Sequence, residues 1–282
     1  MRTLCCFLSV LLLLAWPAAA QSRTLTGVLL DSTTQQPLPY ATVGVVGQPI
    51  GTVADAAGRF NLDLPTRVSA TDSLRFGLVG YRVRTLALRA LPAGELQVSL
   101  AEAAVLLPAA TVRARGLRRQ RIGNHNWNAR MQTNFALGTQ PGQNVGSEIG
   151  RIFQLPRGGA WLDTLRFAIG NTFDSVRLRV NVYALEDGRP GRALLTHPIY
   201  LRRVKGQRGW CVMDFRTENL FVPDDAVVVA VEWVSHSPQS NGRLAIPITV
   251  PAFGTHLYRY GAANEWKRFP GMSACLELVV RH

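Results

Sequence analysis

Five histidines are the first residues to examine for metal chemistry, because zinc-dependent hydrolysis needs imidazole and carboxylate ligands at close, directed spacing. They are His125, His197, His236, His256 and His282. Each is isolated in the sequence, and none begins a His-x-x-Glu or His-Glu-x-x-His pattern. Isolated histidines are typical of surface or hydrogen-bonded positions. The spacing therefore predicts no metal ligand and no bound cofactor.

Residues 271–275 come nearest to a serine nucleophile motif, with the sequence Gly-Met-Ser-Ala-Cys. They lack the closing glycine of a nucleophile elbow, which also needs a strand-to-helix turn. Here the segment precedes an extended run at the C-terminal end instead. A glycine-rich phosphate loop is not predicted either, because residues 142–150 lead into a strand rather than a helix.

Asp224 and Asp225 are a candidate pair of glycosidase carboxylates only because they are adjacent, since such pairs are usually remote in sequence. We interpret them as the turn that enters the apolar segment beginning at Ala226. The sequence therefore predicts no catalytic residues.

Cys211 and Cys275 lie in the main body of the chain, and an exported protein can pair such cysteines. In an extended segment Cys211 alternates with the apolar Met213 and Phe215, whereas Cys275 shares its face with Glu277. This difference favours two free or partly buried thiols over a disulfide.

The elements that must position these residues are predicted to be strands. Residues 176–183 alternate between apolar and polar side chains, which predicts a half-buried strand with a polar outer face. Residues 226–234 are almost continuously apolar and are predicted to form a central strand. Gly27, Gly58 and Gly80 are interpreted as positions required by backbone geometry. The chain shows no long helical period, so the prediction is an all-β protein.

The first residues have the pattern of an export signal. Arg2 precedes an apolar run over residues 4–16, and three alanines offer a cleavage site before Gln21. The run is shorter than the roughly 20 apolar residues that a membrane-spanning helix needs. We therefore expect residues 1–20 to be a signal peptide and the remaining chain to be exported, with no transmembrane span.

The net charge of +13 is concentrated in the middle of the chain, where residues 101–160 hold eight arginines against two acids. Such a balance would suggest nucleic acid in a cytosolic protein, but the export signal argues against that partner. Anionic envelope material is the expected electrostatic partner. The basic run over residues 113–121 is interpreted as solvated surface, with docking to an acidic glycan, lipopolysaccharide or another protein as the alternative.

The N-terminal part resembles the carboxypeptidase-like regulatory domain of Bacteroidetes envelope proteins. The resemblance depends on four segments: Leu25-Thr26-Gly27-Val28-Leu29-Leu30-Asp31, Pro37-Leu38-Pro39-Tyr40-Ala41-Thr42-Val43, Gly51-Thr52-Val53-Ala54-Asp55-Ala56-Ala57-Gly58-Arg59-Phe60 and Val79-Gly80-Tyr81. It implies a small β-sandwich of transthyretin-like (prealbumin-like) fold. In that family the domain is an accessory module without catalytic residues of its own.

The C-terminal part resembles the second half of a group of exported proteins in which that domain precedes a jelly-roll-like sandwich. The segments are Gly146-Ser147-Glu148-Ile149-Gly150, Arg179-Val180-Asn181-Val182-Tyr183, Gly188-Arg189-Pro190-Gly191, Val231-Glu232-Trp233 and Trp266-Lys267. The expected organisation is a signal peptide at 1–20, a carboxypeptidase-like regulatory domain at 21–100, a basic glycine-rich linker at 101–144 and a second β-sandwich at 145–282.

Together these features predict a non-catalytic cell-envelope protein that acts in protein interaction or assembly. It is expected in the periplasm, at the outer membrane or outside the cell, with other envelope proteins or glycans as partners. One alternative is a carbohydrate-binding module, and the other is a cryptic hydrolase. The aromatic side chains available for sugar binding are Trp127, Trp210, Tyr258, Tyr260 and Trp266.

Overall fold

The structure is a computed structural model, and almost all of its regular elements are β-strands. It describes residues 22–103, 116–136, 144–207, 209–238 and 242–282. The predicted signal peptide at 1–20 lies outside the described residues, as do residues 104–115 and 137–143 of the predicted linker. The all-β prediction is confirmed. Within the described ranges, no helix is both long enough and apolar enough to cross a membrane.

The N-terminal module, residues 22–103, is a sandwich of two sheets. Its strands are β1 (Arg23–Asp31), β2 (Thr42–Val45), β3 (Gly51–Val53), β4 (Arg59–Leu64), β5 (Ser73–Gly77), β6 (Arg84–Ala87) and β7 (Leu96–Leu100), with a short 3-10 turn at Leu88–Ala90. One sheet has the order β4-β1-β7 and the other β3-β2-β5-β6. Strand β7 runs parallel to β1, whereas the other pairs are antiparallel.

The N-terminal core follows from side-chain alternation. In β4 the residues Phe60, Leu62 and Leu64 are buried and the residues between them are exposed. Strand β5 buries Leu74 and Phe76 in the same way from the opposite sheet. Because successive side chains of a strand point to opposite faces, this alternation gives each sheet one apolar inner face.

The C-terminal module comprises the described residues from 116 onward. Its strands are β8 (Arg119–Gly123), β9 (Met131–Asn134), β10 (Glu148–Gln154), β11 (Ala160–Phe167), β12 (Gly170–Asn171), β13 (Ser175–Glu186), β14 (Arg189–Ala193), β15 (Ile199–Val204), β16 (Cys211–Asp214), β17 (Phe221–Val222), β18 (Ala226–His236), β19 (Leu244–Thr249), β20 (Thr255–Arg259), β21 (Lys267–Pro270), β22 (Ser273–Ala274) and β23 (Leu276–Arg281). A 3-10 turn at Arg216–Glu218 follows β16.

These strands form three sheets around one core. The largest has the order β14-β13-β18-β10-β20-β21, with β15 also paired to β13. The second has the order β16-β11-β23-β8 with β17 on β11, and the third is β12-β19-β22 with β9 on β19. The predicted central strand is confirmed, since β18 lies inside the largest sheet and its residues from Val227 to Val234 are buried.

The structure differs from the predicted linker at residues 116–136. Strand β8 pairs with β23, and β9 pairs with β19, so both belong to sheets of the C-terminal module. The basic side chains of β8 have acidic partners there: Arg119 lies 3.6 Å from Asp163, and Arg121 lies 3.9 Å from Glu277. The high arginine content therefore reflects ion pairing at a sheet edge as well as solvated surface.

The two modules meet through closely approaching backbone. The Gly47 amide donates a 3.1 Å hydrogen bond to the Ala263 carbonyl, and the Asn144 side chain donates to the Pro49 carbonyl at 3.0 Å. Gly80 has a φ of +87°, and a Cβ atom there would clash with the carbonyl oxygen of Thr196. The interpretation of Gly80 as a backbone-geometry position is therefore confirmed, and the reason is contact between the modules.

Candidate functional site

Four ionisable side chains form a single row across the largest sheet. Strand register places Arg179 opposite Glu232, Glu232 opposite Glu148, and Glu148 opposite Arg259. Side chains that are directly opposite on one face of an antiparallel sheet have Cβ atoms about 5 Å apart. The four strands β13, β18, β10 and β20 therefore present a charge row in the order positive, negative, negative, positive.

Each glutamate of the charge row is bound by the arginine beside it. Arg179 donates from Nε and Nη2 to the two oxygens of Glu232 at 2.9 and 2.8 Å, and the Asn181 amide donates to Oε2 at 2.7 Å. Arg259 donates to Oε1 of Glu148. The Tyr183 hydroxyl lies 3.1 and 3.0 Å from the two Glu148 oxygens and donates to this carboxylate. Described donors therefore contact both oxygens of each carboxylate.

Burial sets the electrostatics of the charge row. Glu148, Glu232 and Arg179 are each no more than 2% exposed. Burial raises the pKa of Glu232, Arg179 opposes the rise, and the neighbouring Glu148 carboxylate adds to it. Burial also raises the pKa of Tyr183 well above its usual value, and Glu148 adds to that effect. Buried charges of opposite sign are expected to be paired in this way, because an unpaired one is strongly destabilising.

The charge row also contacts the N-terminal module. Arg179 uses its third nitrogen, Nη1, to donate a 2.9 Å hydrogen bond to the backbone carbonyl of Tyr40. The Tyr40 ring packs edge-on against the Tyr200 ring, with centroids 5.3 Å apart. The Arg177 guanidinium lies 4.6 Å from the centroid of the Tyr40 ring. The predicted polar face of β13 is therefore present, but it is buried at Arg179, which contacts the other module, and at Asn181, which donates to Glu232.

A cleft of about 900 Å³ lies between the modules, beside the charge row. The N-terminal wall is formed by the outer face of β2 and β5, including Thr42 and Arg75. The C-terminal wall includes the charge row, the edge strand β14 and the loop that ends at Trp266. The Trp266 ring is held by two neighbours: the Arg259 guanidinium lies 4.9 Å from its centroid, and the Tyr183 ring packs edge-on at 5.9 Å.

The two carboxylates of the charge row are occupied by hydrogen bonds within the protein. Two carboxylates at neighbouring positions resemble the pair that a glycosidase uses, one as acid and one as nucleophile or base. In this row, however, Glu148 and Glu232 are buried and both oxygens of each accept hydrogen bonds from described side chains. Both carboxylates are therefore engaged by side chains of the protein itself.

The structure does not bring the histidines together. His256 is 1% exposed, with an Nδ1 atom that has no hydrogen-bond partner among the described residues, and burial lowers its pKa to about 4. His236 packs against Phe173 and Trp233, whereas His197 is exposed. The described part of the chain contains no group of three or more His, Cys, Asp or Glu residues that could hold a metal ion.

The serine and cysteine candidates lie in the interior, away from the cleft. Ser273 is 2% exposed and accepts a hydrogen bond from Arg151. Burial lowers the pKa of this arginine. Cys211 and Cys275 are both buried and free, as predicted, and burial raises the pKa of each thiol to about 11. A thiol of this kind carries little of the nucleophilic thiolate at neutral pH.

Asp224 and Asp225 are exposed in the turn that enters β18, as interpreted from the sequence. The Asp225 carbonyl accepts a 2.8 Å hydrogen bond from the Leu155 amide, which closes that turn against β10. Neither aspartate lines the cleft.

Of the five aromatic candidates for sugar binding, Trp266 is the one that lines the cleft. Trp210 lies under the Arg166 guanidinium at 4.8 Å, and Tyr258 packs against Tyr260 with centroids 5.2 Å apart. Trp127 is 49% exposed, but outside the cleft. The five side chains therefore do not form one binding platform.

The sequence reasoning missed the charge row as a site. The sequence analysis names three of its members, Glu148, Arg179 and Glu232, only within the segments that carry the C-terminal resemblance. It does not name Arg259. One signal was available: Glu232 is a single acid inside the apolar run of β18. A charge at such a position is expected to have a buried partner.

Residues 25–112 match the family model of the CarboxypepD_reg-like domain, which confirms the resemblance of the N-terminal part. That domain is of a regulatory, non-catalytic type and has a β-sandwich fold. A comparison with curated proteins finds no match.

Two solved structures of infectious bursal disease virus are similar to the chain at low scores. The structure of the Gt strain is 16% identical with a TM-score of 0.28, and that of the VP2 subviral particle is 10% identical with a TM-score of 0.27. Each comparison covers 92% of this chain and 64% of the viral chain, so this chain spans less than two thirds of their length.

Proposed function

We propose that this protein, whose residues 25–112 match the CarboxypepD_reg-like domain, is an exported, non-catalytic binding protein of the cell envelope. Its ligand or partner occupies the cleft between the two modules. The sequence pattern of residues 1–20 supports export, and the regulatory, non-catalytic type of the N-terminal domain supports a binding role.

The observation that carries this proposal is the contrast between the charge row and the cleft beside it. The glutamates of the charge row are buried and both oxygens of each accept hydrogen bonds from the protein, so these carboxylates hold the wall in place. The cleft itself stays open, and its volume of about 900 Å³ lies within the usual range of about 300 to 1,000 Å³ for ligand sites. An open cavity beside carboxylates that are already hydrogen-bonded suits binding better than turnover.

Filling the cleft tests the proposal. Ala193 is exposed on the edge strand β14 and lines the cleft, so Ala193→Trp places a large side chain there without disturbing the core. Val212 is 50% exposed on β16 and does not line the cleft, so Val212→Trp is a matched control. We expect immobilised wild-type protein and Val212→Trp to retain the same component of a solubilised envelope fraction, and Ala193→Trp to lose it.

Two results would overturn the proposal. One is equal retention by all three proteins, because binding would then occur elsewhere. The other is turnover of a peptide or glycan substrate by the wild-type protein but not by Glu232→Gln, which would make the charge row catalytic. Assays with and without a chelator extend the second test to metal-dependent hydrolysis.

A further inference from the structure

Arg75 is a half-buried cation in the wall of the cleft and forms no ion pair with a described acid. It projects from the outer face of β5 and lines the cavity from the N-terminal side. Its Nε atom is buried and has no hydrogen-bond partner in the part of the chain that the structure describes. Nε is closed off from solvent, so a molecule in the cleft would reach the terminal nitrogens of this half-buried guanidinium, for which no described residue is an acceptor.

The charges of the cleft that are not in the charge row are mostly positive. Five arginines and three glutamates line it, and two arginines are neutralised by the two glutamates of the charge row. The other three, Arg75, Arg189 and Arg192, form no ion pair with any described acid. Glu265 is the one other acid among the described lining residues, and Glu186, which accepts a hydrogen bond from the Arg192 amide, lies next to the edge strand β14. The planar guanidinium is suited to carboxylate and phosphate groups, which it binds with two parallel hydrogen bonds.

Trp266 gives the cleft an aromatic surface next to these cations. Its ring is held by Arg259 and Tyr183. An indole offers an apolar body and one N–H donor. A sugar ring has the matching features, with apolar C–H faces and hydroxyl acceptors at its rim.

On the premise of the proposed function, that the cleft is the binding site, we propose that its ligand is an acidic oligosaccharide. Carboxylate or phosphate groups of the saccharide bind Arg75 and Arg192, and a sugar ring contacts Trp266. The cavity volume of about 900 Å³ accommodates a few sugar units rather than a folded partner.

Calorimetric titration of the purified protein tests the ligand class. Tetragalacturonate supplies carboxylates and pentamannose phosphate supplies a phosphate group, so these two probes distinguish the sources of negative charge. Maltotetraose is the neutral control, and tetraglutamate carries charge without sugar. We expect at least one acidic saccharide to bind at least tenfold more tightly than either control, and to bind more weakly as salt screens the arginines. Failure of both acidic saccharides, or equal binding of maltotetraose or tetraglutamate, overturns the inference.

Two variants test the residues. Arg75→Gln removes the unpaired cation, and Trp266→Ala removes the aromatic surface, so each should weaken binding of the acidic saccharide at least tenfold. Arg157→Gln is the matched control, because Arg157 is exposed, lies outside the cleft and should leave binding unchanged. Wild-type affinity in Arg75→Gln, with its thermal unfolding also unchanged, would contradict the inference.

The cleft-filling variant separates this inference from the proposed function. If Ala193→Trp loses the envelope component while no acidic saccharide binds the wild type, the cleft is a binding site for another ligand class and the inference fails alone. If Ala193→Trp retains the component, the cleft is not the site and both proposals fail.

Discussion

Nη1 of Arg179 and the backbone carbonyl oxygen of Tyr40 are joined by a 2.9 Å hydrogen bond between the two modules. The other two nitrogens of the same guanidinium hold Glu232 in the C-terminal sheet. One side chain therefore satisfies a buried carboxylate and anchors the N-terminal module. The stability of the charge row and the position of the cleft walls therefore both depend on the Arg179 side chain.

Replacing Arg179 by methionine should destabilise the protein by about 3–5 kcal/mol, because Glu232 would be left buried without its counter-ion. The double variant Arg179→Met/Glu232→Met should recover a large part of this loss, since no unpaired charge then remains. Urea denaturation of both variants measures the difference. Arg157→Met, at an exposed position, should stay within about 0.5 kcal/mol of wild type. A double variant less stable than Arg179→Met would contradict the ion-pair interpretation.

Gly80 and Gly94 provide a matched pair for the contact between modules. Both have positive φ, +87° and +100°, so alanine at either position should cost about 1–2 kcal/mol of backbone strain. A Cβ at Gly80 would also clash with the Thr196 carbonyl, whereas one at Gly94 meets no atom within 4 Å. We expect Gly80→Ala to unfold at a clearly lower urea concentration than Gly94→Ala. Equal midpoints would mean that the modules do not approach at Gly80.

Much of the fold could be predicted from the sequence, because the alternation of apolar and polar side chains that marks a strand can be seen within the strand itself. The strand pattern of β4 and the apolar run of β18 are both visible in the residues themselves. The resemblance of the N-terminal part was also recognisable from its turn residues, and the family match confirms it.

The charge row could not be predicted in this way, because it depends on strand register between distant segments. Glu148, Arg179, Glu232 and Arg259 are separated by many residues, and a shift of one residue in any strand would move its side chain to the other face. The predicted linker was mistaken for a related reason. The strand β8 has little apolar alternation of its own and becomes a strand only by pairing with β23.

Cys211 and Cys275 should resist modification in the folded protein. Both are buried, and burial raises the pKa of each thiol to about 11, so little thiolate is present at neutral pH. We expect iodoacetamide to label these two positions slowly under native conditions and completely in guanidinium chloride, as measured by peptide mass spectrometry. Rapid native labelling of either cysteine would show that its strand opens or that the thiol is accessible.

His256 should make the protein less stable in mild acid. Its ordinary pKa of 6.5 is lowered to about 4 by burial, so the unfolded chain binds a proton in this interval and the folded chain does not. Acidification from pH 6.5 to 4 therefore favours the unfolded state, and the contribution that is fully present above pH 6.5 is lost as the pH falls. This shift of the pKa corresponds to a loss of about 3 kcal/mol in the free energy of unfolding.

The variant His256→Phe isolates this effect, because phenylalanine keeps an aromatic ring against Tyr258 but cannot take up a proton. Protonation of carboxylates in acid also lowers the free energy of unfolding, but it does so equally in the wild type and in His256→Phe. The informative quantity is therefore the difference in the free energy of unfolding between wild type and variant, measured by urea denaturation at several pH values. We expect this difference to shift by about 3 kcal/mol in favour of the variant between pH 6.5 and 4. A difference that stays constant with pH would show that His256 is solvated in the folded protein.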